Sequence, residues 1–230
     1  MKMTLRALAA LLDYPTAELK AHIGEVRSAL QADAQLPQPL LAQLDPLLRA
    51  FETEELLDLQ ADYSALFDQT RSLSLHLFEH VHGDGRERGQ AMIDLGEQYL
   101  ARGFLIEGPE LPDFLPMFLE FLSCQTPEEI RDWLGQPAHV FTLMGQRLAE
   151  RNSPYGAIFQ GLLTLADARP DPEALAELRA RTRQKEEKSV DQEWEEAPVD
   201  FSAPLQDGGA TGVIARLKAA REAIQSAVKG

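Results

Sequence analysis

The chain has 230 residues, 44% of them hydrophobic and 26% charged, enough for one ordinary soluble domain with a real core and a tail. Its formal net charge of −15 repels phosphate backbones and anionic lipid heads, which argues against nucleic-acid binding and stable membrane association. A single cysteine, Cys124, rules out an intrachain disulfide, and no apolar stretch approaches the roughly 20 residues that span a bilayer, so a reducing, cytoplasmic setting is expected.

Leu and Ala dominate and aromatics are sparse, a bias that favours helix over strand. Leu5, Leu8, Leu11 and Leu12 recur at helical spacing up to Pro15. Arg6 and Asp13 interrupt this apolar start, so no signal peptide is expected. A second helix is predicted over residues 16–34, with Leu19, Ile23, Val26 and Leu30 on one face. A third runs through Leu40, Leu44, Leu47, Leu48 and Phe51, and a fourth over residues 54–70 with Leu56, Leu59, Tyr63, Leu66 and Phe67. The stretch Ser72 to Gly83 alternates at Leu73, Leu75 and Leu77; its surroundings predict helix at least from His76. Gly83-Asp84-Gly85 breaks the chain, and a helix over residues 86–102 ends at Gly103.

Asp113 precedes an apolar run and reads as the N-cap of a helix over residues 114–124, with Pro116 tolerated in its first turn. Thr126-Pro127-Glu128-Glu129 reads as a capping box with proline at the first helical position. Helices continue over residues 138–150, 154–168 and 171–183. The pattern predicts an all-α fold: a single compact helical domain over residues 1–183, followed by an acidic tail, 184–230. Residues 185–207 carry eight acidic side chains against two basic ones, the composition of a disordered or weakly docked segment. Residues 211–229 form a net basic amphipathic stretch with Val213, Leu217 and Ile224 on its stripe.

The densest polar cluster is Asp68, Arg71, His76, Glu79, His80, His82 and Asp84. His76-Leu77-Phe78-Glu79-His80 spells H-x-x-E-H, which on a helix puts both histidines on one face as in an inverted zinc-peptidase motif. A metal-dependent hydrolase using His76, Glu79 and His80 is therefore the alternative reading. The motif lacks a persuasive distal ligand, so histidines bonded to neighbouring carboxylates around a groove are the expectation, with no metal and no cofactor. Cys124 follows Phe121 and Leu122 on an apolar helix, where a free cysteine is expected to be buried and inert. No Gly-x-Ser-x-Gly elbow or P-loop occurs. The run Phe114-Leu115-Pro116-Met117-Phe118-Leu119-Glu120-Phe121 is apolar nearly all round and reads mostly as core.

Two blocks carry a family resemblance. Asp62 to Asp68, continuing through Arg71 to Asp84 and Arg86 to Leu95, resembles the signature block of the NarJ-type assembly chaperones of respiratory nitrate reductase. Glu110-Leu111-Pro112-Asp113-Phe114 and the run after it resemble the Pro-Asp loop and helix of the wider TorD/DmsD superfamily. Many superfamily members have histidine where this chain has Phe114; the NarJ branch tends to have an aromatic there. The resemblance spans residues 3–170. It implies an all-helical, TorD-like cytoplasmic chaperone without enzymatic activity. Such a protein binds the N-terminal peptide of the nitrate reductase catalytic (alpha) subunit and holds the apo-enzyme for molybdenum cofactor and iron–sulfur cluster insertion before membrane attachment. Molybdenum cofactor biosynthesis proteins are further partners in this picture. The client-binding residues it implies are Asp62, Tyr63, Leu66, Phe67, Asp68, Arg71, Leu75, His76, Phe78, Glu79, His80, His82, Pro112, Asp113, Phe114, Phe118 and Phe121.

Overall fold

Leu5, Leu8, Leu11 and Leu12 are fully buried on the first helix of the computed structural model, which describes residues 1–82, 86–106, 108, 110–170, 172–173 and 175–180. The helices are α1 (Lys2–Leu12), α2 (Ala17–Ala21), α3 (Ile23–Ala32), α4 (Gln38–Thr53), α5 (Leu56–Tyr63) and α6 (Leu77–Val81). They continue as α7 (Arg86–Ala101), α8 (Leu115–Ser123), α9 (Pro127–Gly135), α10 (Ala138–Glu150) and α11 (Gly156–Ala166). Among the described residues there is no strand, only one isolated bridge, so the all-α expectation holds. The predicted boundary at residue 183, Asp84, the acidic tail and the basic stretch 211–229 lie outside the described residues.

The core sits where α1 packs along α8 and where α11 packs against α4, α9 and α10. α11 is apolar nearly all round and buries Ile158, Phe159, Leu162 and Leu165, as a helix inside a bundle must. The α10–α11 pair approaches closely through glycines: a Cβ on Gly156 would stand 3.5 Å from the Gly145 carbonyl oxygen. Several helix ends are closed by residues far along the chain. The Thr4 N–H and hydroxyl, in the first turn of α1, both donate to the Asp33 carboxylate at 2.9 and 2.7 Å. Lys20 Nζ donates to the carbonyls of Phe51 (2.8 Å) and Glu54 (2.6 Å), where a cation suits the C-terminus of α4.

Local signals fared unevenly: Cys124, expected to be buried, is exposed at the C-terminal cap of α8. The capping box of α9 is present, with Thr126 and Glu129 satisfying each other's backbone N–H groups. The helix predicted over residues 16–34 is instead two, because His22 (φ −104°, ψ 12°) leaves helical geometry and its N–H bonds back to the Glu18 and Leu19 carbonyls. The helix predicted over residues 54–70 ends at Tyr63; a π-helical turn, Ser64–Asp68, and a 3₁₀ turn, Arg71–Leu73, follow. Gly103 (φ +77°) follows α7, as its sequence position suggests.

Candidate functional site

The two sequence blocks meet at one crossing. Residues 74–78 and 111–115 run antiparallel, with a bridge between His76 and Phe114. The Leu115 N–H donates to the Leu75 carbonyl at 2.9 Å, and the Leu77 N–H to the Asp113 carbonyl at 3.0 Å. Leu73, Leu75 and Leu77 are all buried beneath it, which anchors the crossing in the core.

Asp113 does not cap α8, whose N-cap position is Phe114 without a side-chain bond. Its side chain is fully buried and turns toward α6 instead. One carboxylate oxygen accepts the Phe78 N–H at 3.1 Å, closing the first turn of α6 from 35 residues away. The other lies 3.1 Å from His76 Nδ1. Arg88, on α7, completes the cluster: Nη1 pairs with Glu79 at 3.2 Å and Nη2 stands 3.9 Å from Asp113. Arg88 Nε is buried with no hydrogen-bond partner among the described residues. His80 Nε2 bonds the Ser74 carbonyl at 2.8 Å, and His82 Nδ1 is 4.0 Å from Glu87. Arg147 on α10 holds the 3₁₀ turn by donating to the Ser72 carbonyl at 2.8 Å.

The hydrogen bond to Asp113 raises the His76 pKa above its ordinary value, with Asp113 and Glu79 charge adding to it and partial burial and Arg88 opposing it. The folded protein thus holds the His76 proton more tightly than the unfolded chain does. The stabilisation is complete below the unfolded value of about 6.5 and is lost as pH rises through the raised folded value. Urea unfolding of the wild type and His76→Gln at pH 6 and pH 8.5 checks this. The stability gap between the two proteins should be larger at pH 6; an equal or larger gap at pH 8.5 would contradict the ion pair.

The structure sorts the sequence-predicted residues into three groups. Asp62, Asp68 and Arg71 are exposed, while Leu66, His76, Phe78, Glu79, His80, His82, Pro112 and Phe114 are half-buried along the crossing and the turns before it. Tyr63, Phe67, Leu75, Asp113, Phe118 and Phe121 are buried, so these six present no surface that a partner could touch. Tyr63 and Phe67 belong to an aromatic cluster with Tyr14 and Tyr155, at ring-centre distances of 4.9 to 5.5 Å for consecutive pairs. The Tyr63 hydroxyl donates to the Leu12 carbonyl at 2.9 Å, and burial raises its pKa. Phe121 packs against Tyr99 (4.3 Å) and Trp133 (5.4 Å).

Sequence reasoning missed Arg88, Tyr99 and Arg147. Tyr99 donates to the Pro112 carbonyl at 2.8 Å and so fixes the loop before Asp113. Nothing local marks these residues, because each acts on a backbone or carboxylate in a distant segment. The geometry also bears on H-x-x-E-H. His76 stands at the N-cap of α6 with extended backbone, so helical i, i+4 spacing does not align it with His80, and Glu79 is engaged by Arg88. Among the described residues, no three His, Cys, Asp or Glu side chains converge to hold a metal. No described helix is long and apolar enough to cross a membrane.

The model of the family described as nitrate reductase delta subunit matches residues 33–160. The nitrate reductase molybdenum cofactor assembly chaperone NarJ of Escherichia coli K12 is 42% identical over 194 residues, 84% of this chain and 82% of that protein. The probable chaperone NarW of the same strain is 35% identical over 199 residues, 86% and 83% of the two chains. The probable NarJ of Bacillus subtilis 168 is 27% identical over 164 residues, 70% and 87%.

Proposed function

This chain belongs to the nitrate reductase delta subunit family, and from that premise we propose that it is the dedicated assembly chaperone of a respiratory nitrate reductase. It acts by binding rather than by catalysis. Its client is the apo catalytic subunit, grasped by that subunit's N-terminal segment. The chaperone holds the client in the cytoplasm for insertion of the molybdenum cofactor and iron–sulfur cluster and releases it for membrane attachment. Molybdenum cofactor biosynthesis proteins approach the held complex.

The observation that carries this reading is the 42% identity to a molybdenum cofactor assembly chaperone across more than four-fifths of both chains. The site supports it. His76, His80, Glu79, Arg88 and Asp113 are occupied by one another and by backbone, an arrangement that fixes the shape of a surface and leaves no activated nucleophile. A surface with fixed shape and an acidic surround suits capture of a cationic amphipathic segment.

Deleting the gene and assaying cells grown anaerobically on nitrate tests the proposal. Nitrate reductase activity should fall at least tenfold, and the catalytic subunit purified from these cells should lack molybdenum. Plasmid-borne wild-type chain should restore both. Full molybdenum content in the deletion strain would sink the proposal.

A further inference from the structure

Residues 64–70 are folded against their own sequence signal. Ser64-Ala65-Leu66-Phe67-Asp68-Gln69 contains neither glycine nor proline, and its apolar positions continue the stripe of α5. The chain nevertheless widens here into the π-helical turn Ser64–Asp68. The Gln69 N–H donates to the Ser64 carbonyl, five residues back, at 3.0 Å. The carbonyl that an α-helix would offer it, that of Ala65, accepts the Thr70 hydroxyl instead, at 3.0 Å. At this end the α and π windings differ by the exchange of one acceptor, and the Thr70 side chain occupies the acceptor that the α winding needs.

Both ends of the segment are fixed. Tyr63 is buried, and its hydroxyl donates to the Leu12 carbonyl at 2.9 Å. Downstream, Leu73 is fully buried and Arg147 donates to the Ser72 carbonyl at 2.8 Å. Between these anchors Ala65, Asp68 and Gln69 are exposed, and Thr70 (φ −108°, ψ 94°) is extended. A turn closed five residues back holds one residue more than an α turn, so the π turn stores slack between two fixed points.

We propose that residues 64–70 form a register switch: a π-wound state held by the Thr70 hydroxyl, and an α-wound state in which the Gln69 N–H takes the Ala65 carbonyl and the spare residue passes into the link at 69–70. The switch goes beyond the chaperone reading and stands without it. Its effect on the surface follows from helix geometry. At about 100° per residue, an α-wound turn puts Leu66 about 60° to one side of Tyr63 and Phe67 about 40° to the other. In the π-wound turn Phe67 is buried, 4.9 Å from Tyr63 and 5.1 Å from Tyr155, while Leu66 is half-buried. Rewinding therefore turns Leu66 inward and Phe67 outward and carries Asp68 around the axis. The surface just before the crossing changes while α5 and the crossing keep their anchors.

Helix register shifts run in microseconds to milliseconds, so amide relaxation dispersion on the isotope-labelled full-length chain is the test. In the wild type, exchange should appear at residues 64–70 and be absent from α11. Thr70→Val keeps the shape of the side chain and removes the hydroxyl. It should raise the α-wound population about fivefold, the weight of one ordinary hydrogen bond. Deleting Ala65 removes the spare residue. It should abolish the exchange and leave the melting temperature near wild type. Deleting Thr142 from the regular helix α10 shifts every later residue of that helix and should unfold the chain. Flat dispersion at residues 64–70 in both the wild type and Thr70→Val overturns the switch. So does exchange whose minor population ignores Thr70→Val, and so does an Ala65 deletion as damaging as the Thr142 deletion.

Discussion

Replacing Asp113 with alanine is expected to lower the unfolding free energy by about 3–5 kcal/mol, the range typical of breaking a buried charged pair. The carboxylate is fully buried and serves three groups at once: the Phe78 N–H, His76 Nδ1 and, at 3.9 Å, the Arg88 guanidinium. Alanine leaves the N-terminus of α6 uncapped, where one cap is worth about 1 kcal/mol. It also leaves Arg88, whose Nε already lacks a partner, with Glu79 as its remaining carboxylate in the cluster. Asp113→Asn separates the two contributions. An amide oxygen still accepts from Phe78, but the charge that holds the His76 proton is gone. Asparagine should therefore recover roughly the cap, about 1 kcal/mol, and should lower the His76 pKa toward its ordinary value. Urea unfolding gives the first quantity and an NMR titration of His76 the second. An alanine variant within about 1 kcal/mol of wild type, the scale of one ordinary hydrogen bond, would mean that the crossing does not depend on this carboxylate.

The misreading of Asp113 shows what a sequence can and cannot disclose. An aspartate one residue before an apolar run is an ordinary N-cap signal, and the local reading followed it. The side chain serves a helix 35 residues earlier because the crossing of residues 74–78 with 111–115 puts α6 closer to it than α8. The capping box of α9, the proline at its first position and the stop at Gly103 were legible because every atom involved lies within a few residues. The break at His22 was not. Leu19, Ile23, Val26 and Leu30 keep a continuous apolar stripe across it, and periodicity reports which face is buried, not whether the axis bends. The end of α5 was hidden the same way, since Tyr63 and Phe67 remain inward when the winding loosens into the π-helical turn. The resemblance named residues on both sides of the crossing but could not divide their aromatics into exposed and buried. Phe78 and Phe114 are half-buried at the surface, whereas Phe118 and Phe121 are inside, although Phe114, Phe118 and Phe121 share one apolar run.

That division makes Phe121 the sharpest test of core against contact. Its ring is fully buried, 4.3 Å from Tyr99, 5.4 Å from Trp133 and 5.7 Å from Phe104. Phe121→Ala should cost about 3–5 kcal/mol, the usual loss when a buried phenylalanine leaves a cavity that its neighbours only partly fill. For a domain of this size that amounts to a melting temperature lower by roughly 10 °C. The consequence for function follows from where the ring is. Phe121 touches no solvent, so it cannot contact a client that docks on the folded surface. Below the transition, the folded fraction of Phe121→Ala should bind the client peptide with wild-type affinity. Tyr99 links the outcomes, because its ring packs on Phe121 while its hydroxyl holds the Pro112 carbonyl next to Asp113. If loosening Phe121 also weakens binding at temperatures where the chain is fully folded, the loop at residues 110–113 takes part in recognition, with Tyr99 transmitting the change. If binding is untouched, the loop and the crossing serve to hold the fold, and recognition lies outside them.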